Sequence, residues 1–378
     1  MKTVVIAGYA RSPFTPAKKG ALATVRPDDL AAQVIRQLVA RSGVDPSHIE
    51  DLILGCAFPE GEQGLNVARL IGLLADLPQS VAGVTVNRFC GSSMQAIHMA
   101  AGAIQMGAGE VFVCAGVESM SRVPMMGYNP LPNPLLAAAN PGAYMGMGDT
   151  AENVARQWVI GRAEQEAFAL ASHQRAAAAQ AEGRFQDEIV AIQAGKTLVD
   201  TDGCIRAETT LEGLAELKPA FETTGSVTAG TASPLTDGAS AVLVCTLDYA
   251  KAHGLVPLAK IAAIAVDGCA PEIMGIGPVG ASRKALARAG ITAAQLDVVE
   301  LNEAFASQSL ACLRELGLSQ DVVNIDGGAI ALGHPLGATG ARITGKAASL
   351  LKRQGGRYAL ATQCIGGGQG IATVLEAL

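Results

Sequence analysis

The chain has 378 residues, 49% of them hydrophobic and 16% charged, with a formal net charge of −6. That composition excludes an intrinsically disordered chain, and a chain of this length buries a core without disulfide or metal staples. No basic block is present, which argues against nucleic acid as a partner, and the 44 glycines follow no G-x-y period, which excludes collagen and points to tight turns.

The chain opens on a strand-like run, Val4-Val5-Ile6-Ala7, with neither a signal peptide's apolar region nor an Arg-rich transit segment. No apolar run reaches membrane-spanning length, and the last residues, Leu375-Glu376-Ala377-Leu378, are not a peroxisomal address. The eight cysteines are scattered without C-x-x-C, so reduced thiols and a cytoplasmic location are expected. The five histidines show no metal-ligand spacing, and no metal is expected.

A first helix is predicted to end at Gly43, before a strand at Ile49–Leu54. The strand Val84-Thr85-Val86 then leads through Asn87-Arg88-Phe89-Cys90-Gly91-Ser92-Ser93 into a helix over Met94–Ile104. A cysteine at a helix N-terminus is favoured as a thiolate by the free N–H groups and the dipole, although a buried structural cysteine is the commoner fate. After the strand Val111–Ala115 comes a stretch, 118–228, that begins irregular and proline-broken. It holds five of the ten methionines, at 120, 125, 126, 145 and 147, and an alanine-rich helical run over Thr150–Glu182. Methionine suits adaptable contact with flexible apolar ligands, so we read this as an inserted loop domain over the active site, while a small core of its own explains the methionines equally well.

Further on, a helix ending at Gly290 and a strand at Leu296–Leu301 lead to Asn302-Glu303-Ala304-Phe305. A strand-terminal Asn can donate to an oxyanion or merely cap the next helix. The glycine-rich loop 327–340 pins His334 between Gly333 and Pro335, which suits a general base as well as a local structural role. The strand Tyr358–Ala361 is followed by Gln363-Cys364-Ile365-Gly366-Gly367-Gly368-Gln369-Gly370, a turn that matches neither G-x-G-x-x-G nor a P-loop.

These segments repeat. The helix, strand and glycine-turn order around Gly43, Phe58 and Gly109 recurs at Gly290, Phe305 and Gly356, at a constant offset of 247 residues. The offset aligns Gly337 with Cys90 and His334 with Asn87, so two similar α/β halves should bring both helix starts to one cleft. The halves are read as 1–117 plus about 229–257, and 258–378, with the insertion at 118–228 between them.

The Cys90 segment, the Asn302-Glu303-Ala304-Phe305 box, the Gly-His334-Pro loop and the Cys364-x-Gly-Gly-Gly segment together resemble the thiolase family over nearly the whole chain, in family order. The resemblance implies a five-layer α-β-α-β-α fold with an inserted loop domain. It implies Cys90 as the acyl-carrying nucleophile, His334 as its base and Cys364 as the second acid/base. Asn302, through a held water, and His334 would serve the enolate oxygen, and the N–H groups of Cys90 and Gly366 would form a second oxyanion hole. Ser233, in Ala229-Gly230-Thr231-Ala232-Ser233, and Met147 are carried over as contacts to coenzyme A or substrate. Coenzyme A is then a substrate and no cofactor is implied. A homodimer or homotetramer and a β-oxidation multifunctional enzyme are the implied protein partners.

Three features depart from other members: Gly91-Ser92-Ser93 after the nucleophile, Gly146 where biosynthetic members place a His, and Asn87-Arg88 as in degradative members. They favour thiolysis of 3-ketoacyl-CoA over condensation of two acetyl-CoA to acetoacetyl-CoA. A ketosynthase would carry a His at the position of Cys364, a binding-only relative would have lost one of the three reactive side chains, and a nicotinamide dehydrogenase would need a dinucleotide fingerprint after the first strand.

Overall fold

The computed structural model describes residues 2–378. The first half runs β1 (Val4–Arg11), β2 (Thr15–Pro16), α1 (Pro27–Ser42), β3 (Asp51–Gly55), α2 (Val67–Leu74), β4 (Ala82–Val86), α3 (Ser92–Met106) and β5 (Val111–Ser119). Between β5 and the next long strand lie α4 (Pro134–Ala139), α5 (Met147–Gln157), α6 (Arg162–Ala181), the hairpin β6 (Ile192–Ala194) and β7 (Thr197–Val199), and α7 (Leu211–Ala215). β8 (Thr236–Thr246) and α8 (Leu247–Ala252) follow. The second half runs β9 (Ala259–Gly268), α9 (Gly277–Ala289), β10 (Val298–Leu301), α10 (Ala306–Leu316), α11 (Ala329–Leu332), α12 (Thr339–Gln354), β11 (Tyr358–Ile365) and β12 (Gln369–Glu376).

The repeat is visible in the helix ends. α1 starts on Pro27, carries Asp28 and Asp29 in its first turn, and stops at Gly43 with φ +73°. α9 has a proline in its first turn and stops at Gly290 with φ +69°. Only glycine enters that left-handed region without strain, which is why both helices end there.

The strand order is β10-β11-β12-β9-β1-β8-β5-β3-β4. The two sheets join at β1 and β9 through only two pairs, Val5↔Lys260 and Ile6↔Ala259. β3 is parallel to both β4 and β5, and β10 is parallel to β11. β5 and β8 are buried along their whole length, as continuous apolar strands covered on both faces should be. Three cores define five layers. α1 and α2 pack Leu38 and Ile71 on the outer face of the first sheet. α3 and α12 place Met94, Ile97, Ile343 and Leu350 between the sheets. α9 and α10 pack Ala285 and Leu310 outside the second sheet. Each fully buried Leu, Ile or Met contributes about 1.5–3 kcal/mol. No helix among the described residues is long and apolar enough to cross a membrane.

The halves are not identical. Where the first sheet has β4, the second has one parallel bridge, Val299↔Val323. Asn324, at φ +47°, turns the chain away there. Its side chain accepts from Leu301 N–H at 3.0 Å and donates to Leu301 C=O at 2.8 Å, doing for the edge of β10 what a fifth strand would have done.

Candidate active site

The loop after β4 is a tight elbow. Asn87 donates to Ala57 C=O at 2.9 Å and accepts from Phe89 N–H at 2.8 Å. Ser92 Oγ donates to Phe89 C=O at 2.6 Å and accepts from Arg88 N–H at 2.9 Å. These bonds hold Phe89 at φ +42°, a conformation costly for a bulky residue and concentrated at functional sites. The elbow lifts Cys90 off the end of β4. α3 begins only at Ser92, with Gly91 as its cap, so Cys90 stands one residue outside the helix cap.

His334 comes from the glycine-rich loop of the second half. Gly333 takes φ +101° before it, and a side chain there would strike Thr236 at 2.7 Å. Thr236 Oγ1 accepts from His334 N–H at 3.1 Å. Nδ1 of the imidazole meets Thr339 Oγ1, at the start of α12, at 2.6 Å. Nε2 lies 3.4 Å from Asn302 Nδ2. An amide nitrogen only donates, so Nε2 is the accepting nitrogen and Nδ1 carries the proton toward Thr339. Asn302 Oδ1 is buried without a protein partner among the described residues, as a site for a held water requires.

Cys364 sits near the end of β11, opposite Gly370 of β12. The turn between the strands uses Gly367 and Gly368 at φ +80° and +81°. It brings the Gly366 N–H near the Cys90 thiol, whose titration this group and the Cys90 N–H both pull down. Cys90, His334 and Cys364 line one cavity of about 640 Å³. Ser233 and Met147 line it too, whereas Asn302 and Gly366 are not part of its lining, and Asn302 reaches it through His334. The loop bearing Ser233 is fastened to the Asn302 box by Ser233 N–H to Ala304 C=O at 3.0 Å and by the bridge Ala232↔Phe305. The inserted segment supplies Met120, Met125, Met147 and Phe221, so the methionine-rich stretch covers the cavity. Gly146 lies in the same wall and adds no side chain.

The electrostatics correct one sequence expectation. Burial pushes the Cys90 thiol up to about 12, against the pull of the two N–H groups. The thiolate expected from a helix N-terminus is therefore not the resting form, because the cysteine is desolvated and lies outside the helix. Burial, with Arg342 adding, brings His334 down to about 3. Burial, with Cys90 adding, raises Cys364 well above an ordinary thiol. Burial thus favours a neutral thiol beside a neutral imidazole in the resting site.

Sequence reading missed several supporting residues. Thr339 sets the His334 tautomer. Glu118, at the end of β5, accepts from Ala57 N–H at 2.8 Å, Gln63 Nε2 at 2.9 Å and Gly337 N–H at 3.0 Å, tying the His334 loop to the first half. Arg206 lines the cavity without an acidic partner among the described residues. A buried Glu after a strand and a lone Arg in a polar loop carry no local signal that distinguishes them.

Two family models cover the chain: the thiolase N-terminal domain matches residues 4–248 and the thiolase C-terminal domain residues 255–377. The 3-ketoacyl-CoA thiolase of Bacillus subtilis is 48% identical over 389 residues and spans 100% of both chains. The 3-ketoacyl-CoA thiolase of Acinetobacter baylyi is 50% identical over 383 residues, covering 99% of this chain and 98% of the relative. Human mitochondrial 3-ketoacyl-CoA thiolase superimposes with a TM-score of 0.91 at 38% identity, over 100% of this chain and 99% of that one. Its complex with CoA gives 0.92 at 38% identity, covering 100% of this chain and 98% of that chain.

Proposed function

The chain belongs to the thiolase family, and from that premise we propose that it cleaves 3-ketoacyl-CoA with CoA, giving acetyl-CoA and an acyl-CoA shortened by two carbons. The observation that carries the reading is the convergence of Cys90, His334 and Cys364, from two loops and a strand end of two half-domains, on one largely apolar cavity.

The chemistry follows from what each group can do there. Cys90 sulfur attacks the 3-keto carbon while its proton passes to His334 Nε2, the accepting nitrogen. The Cys90 and Gly366 N–H groups meet the oxyanion that forms. Collapse breaks the bond between carbons 2 and 3 and leaves the acyl group on Cys90. The electron pair departs as the acetyl-CoA enolate, whose oxygen faces His334 and the water on Asn302. Cys364 protonates carbon 2 and becomes a thiolate. In the second half the Cys364 thiolate takes the proton of incoming CoA, CoA sulfur attacks the thioester, and Cys90 leaves and recovers its proton from His334. Every group ends as it began, so either direction is open.

Ser233 and Met147 contact the pantetheine and acyl portions in this reading, and Arg206 places a cation where a polyanionic CoA enters. Coenzyme A acts as substrate, with no other cofactor. An oligomer in the cytoplasm, a dimer or tetramer, is part of the proposal. It is supported by the free edge of β4 and by Leu65, Leu73 and Met106, exposed by 89%, 46% and 86%. A β-oxidation multifunctional enzyme is the partner that would supply the substrate.

Ultraviolet assay of thiolysis with added CoA tests the reading. kcat/KM should hold or rise from acetoacetyl-CoA to six- and eight-carbon substrates, because each buried methylene can add up to about 0.8 kcal/mol. Activity confined to acetoacetyl-CoA would transfer the assignment to biosynthetic condensation of two acetyl-CoA, which the same residues run in reverse.

A further inference from the structure

The two N–H groups that act on the Cys90 thiol belong to different halves of the molecule. Cys90 sits on the first-half elbow, and Gly366 sits in the β11–β12 turn of the second half. A pair of donors stabilises an oxyanion only when their separation is held to a few tenths of an ångström, so something must fix one loop against the other.

Two side-chain hydrogen bonds cross that gap. Gln363 Nε2 donates to the Cys90 carbonyl. Arg88 Nη1 donates to Gln369 Oε1 at 2.7 Å, while its Nε is fixed on Gln95 Oε1 at 2.9 Å. The contacts flank the catalytic atoms on both sides: Arg88 lies two residues before Cys90, and Gln363 and Gln369 bracket Gly366. Alternation along β11 explains how one strand does two jobs. Gln363 and Ile365 face the elbow, where a side chain on Gly91 would strike Ile365 Cδ1 at 2.6 Å, while Cys364 points the other way into the cavity.

Gln363 is fully buried, and its Oε1 has no partner among the described residues. Folding alone would be served better by an apolar side chain of the same length, since a buried unpaired carbonyl is a net cost. Local rules broken in this way mark functional constraint. Arg88, likewise, is a guanidinium hydrogen-bonded only to two glutamine carbonyls, with no carboxylate partner among the described residues.

We propose that Gln363, assisted by the Arg88–Gln369 bond, is a positioning residue that locks the Cys90 elbow to the Gly366 turn and so sets the spacing of the oxyanion donors. The proposal rests on the thiolase reading above. Gln363 touches no reacting atom and acts through the Cys90 backbone.

Gln363→Met keeps length and volume and removes the donor. With acetoacetyl-CoA or a longer 3-ketoacyl-CoA plus CoA, kcat should fall about tenfold to a hundredfold, less than the roughly 10²–10³ lost with a whole oxyanion donor, while KM for both substrates stays within about twofold. Alkylation of Cys90 by iodoacetamide develops no carbonyl oxyanion, so its rate should fall by far less than kcat. Gln369→Met, on a half-buried side chain, breaks the other contact without touching the core; it should lower kcat by a few-fold with the same unchanged KM, and it supplies the test if Gln363→Met fails to fold. A folded Gln363→Met enzyme with wild-type kcat overturns the proposal, as does a parallel loss of kcat and alkylation rate, which would mean Cys90 itself had moved. If Gln363→Met does not fold, a Gln369→Met enzyme with wild-type kcat overturns it. Wild-type enzyme without thiolysis would instead overturn the parent reading.

Discussion

The two loops that meet at the cavity occupy matching places in the two halves, yet they are built oppositely. Residues 326–348 of the second half are buried without a break. At the matching place in the first half, Asn87 and Phe89 are exposed and Arg88 and Cys90 are half-buried. Cys90, the proposed nucleophile, stands on the more exposed loop, where an acyl-CoA would arrive. His334, the proposed base, at the position matching Asn87, stands in a loop buried on every side. A nucleophile needs access, whereas a base and oxyanion donors need fixed geometry, and one duplicated framework provides both by burying one copy of the loop and leaving the other near an edge.

The largest test of this division removes each sulfur. Cys90→Ala should bring turnover to background and leave no acyl adduct after incubation with acetyl-CoA. Cys364→Ala should still show the adduct on Cys90 by intact mass while turnover falls by about 10³-fold or more. Two variants behaving alike would erase the distinction between the sulfurs.

Rigidity can be compared next. A side chain on Gly340 would meet the Met94 backbone nitrogen at 2.3 Å, whereas one on Gly91 meets the far end of Ile365 at 2.6 Å. In urea unfolding Gly340→Ala should cost about 3 kcal/mol and Gly91→Ala about 1 kcal/mol, because backbone cannot step aside and a methyl can. Equal costs would mean that the second loop is no stiffer than the first.

Each half also buries a histidine. Burial takes His98 of α3 down to about 3, and likewise His334. The unfolded chain titrates near 6.5, so between that pH and the folded value the unfolded state binds more protons and stability falls as pH falls. His98→Gln, which can keep a bond to Thr373, should reduce the loss between pH 7 and 5 by about 2 kcal/mol. An unchanged urea profile would place the titration elsewhere. The smallest effect belongs to the cavity mouth: Arg206→Gln should raise KM for CoA about fivefold with kcat unchanged, more at low salt than at high salt. A change in kcat instead would put Arg206 at the chemistry rather than at entry.

The sequence by itself determined the half-domain repeat, because helix ends need glycine and covered strands need apolar runs, and both leave a mark in local order. Gly43 and Gly290 are the clearest case. It also displayed Cys90, His334 and Cys364, since reactive side chains in or beside glycine-rich turns stand out, and Asn302 at the end of a strand. What it could not display depends on contacts between segments hundreds of residues apart. The loss of the fifth strand in the second half turns on Asn324 bonding to Leu301. The grip of Gln363 on Cys90 spans 273 residues. The protonation of the site reversed the local expectation, because the helix dipole acts over one turn of local structure while desolvation is imposed by everything packed around it. Local spacing names the groups that can react; the tertiary structure decides how far each is withdrawn from water, and with that its charge and its partner.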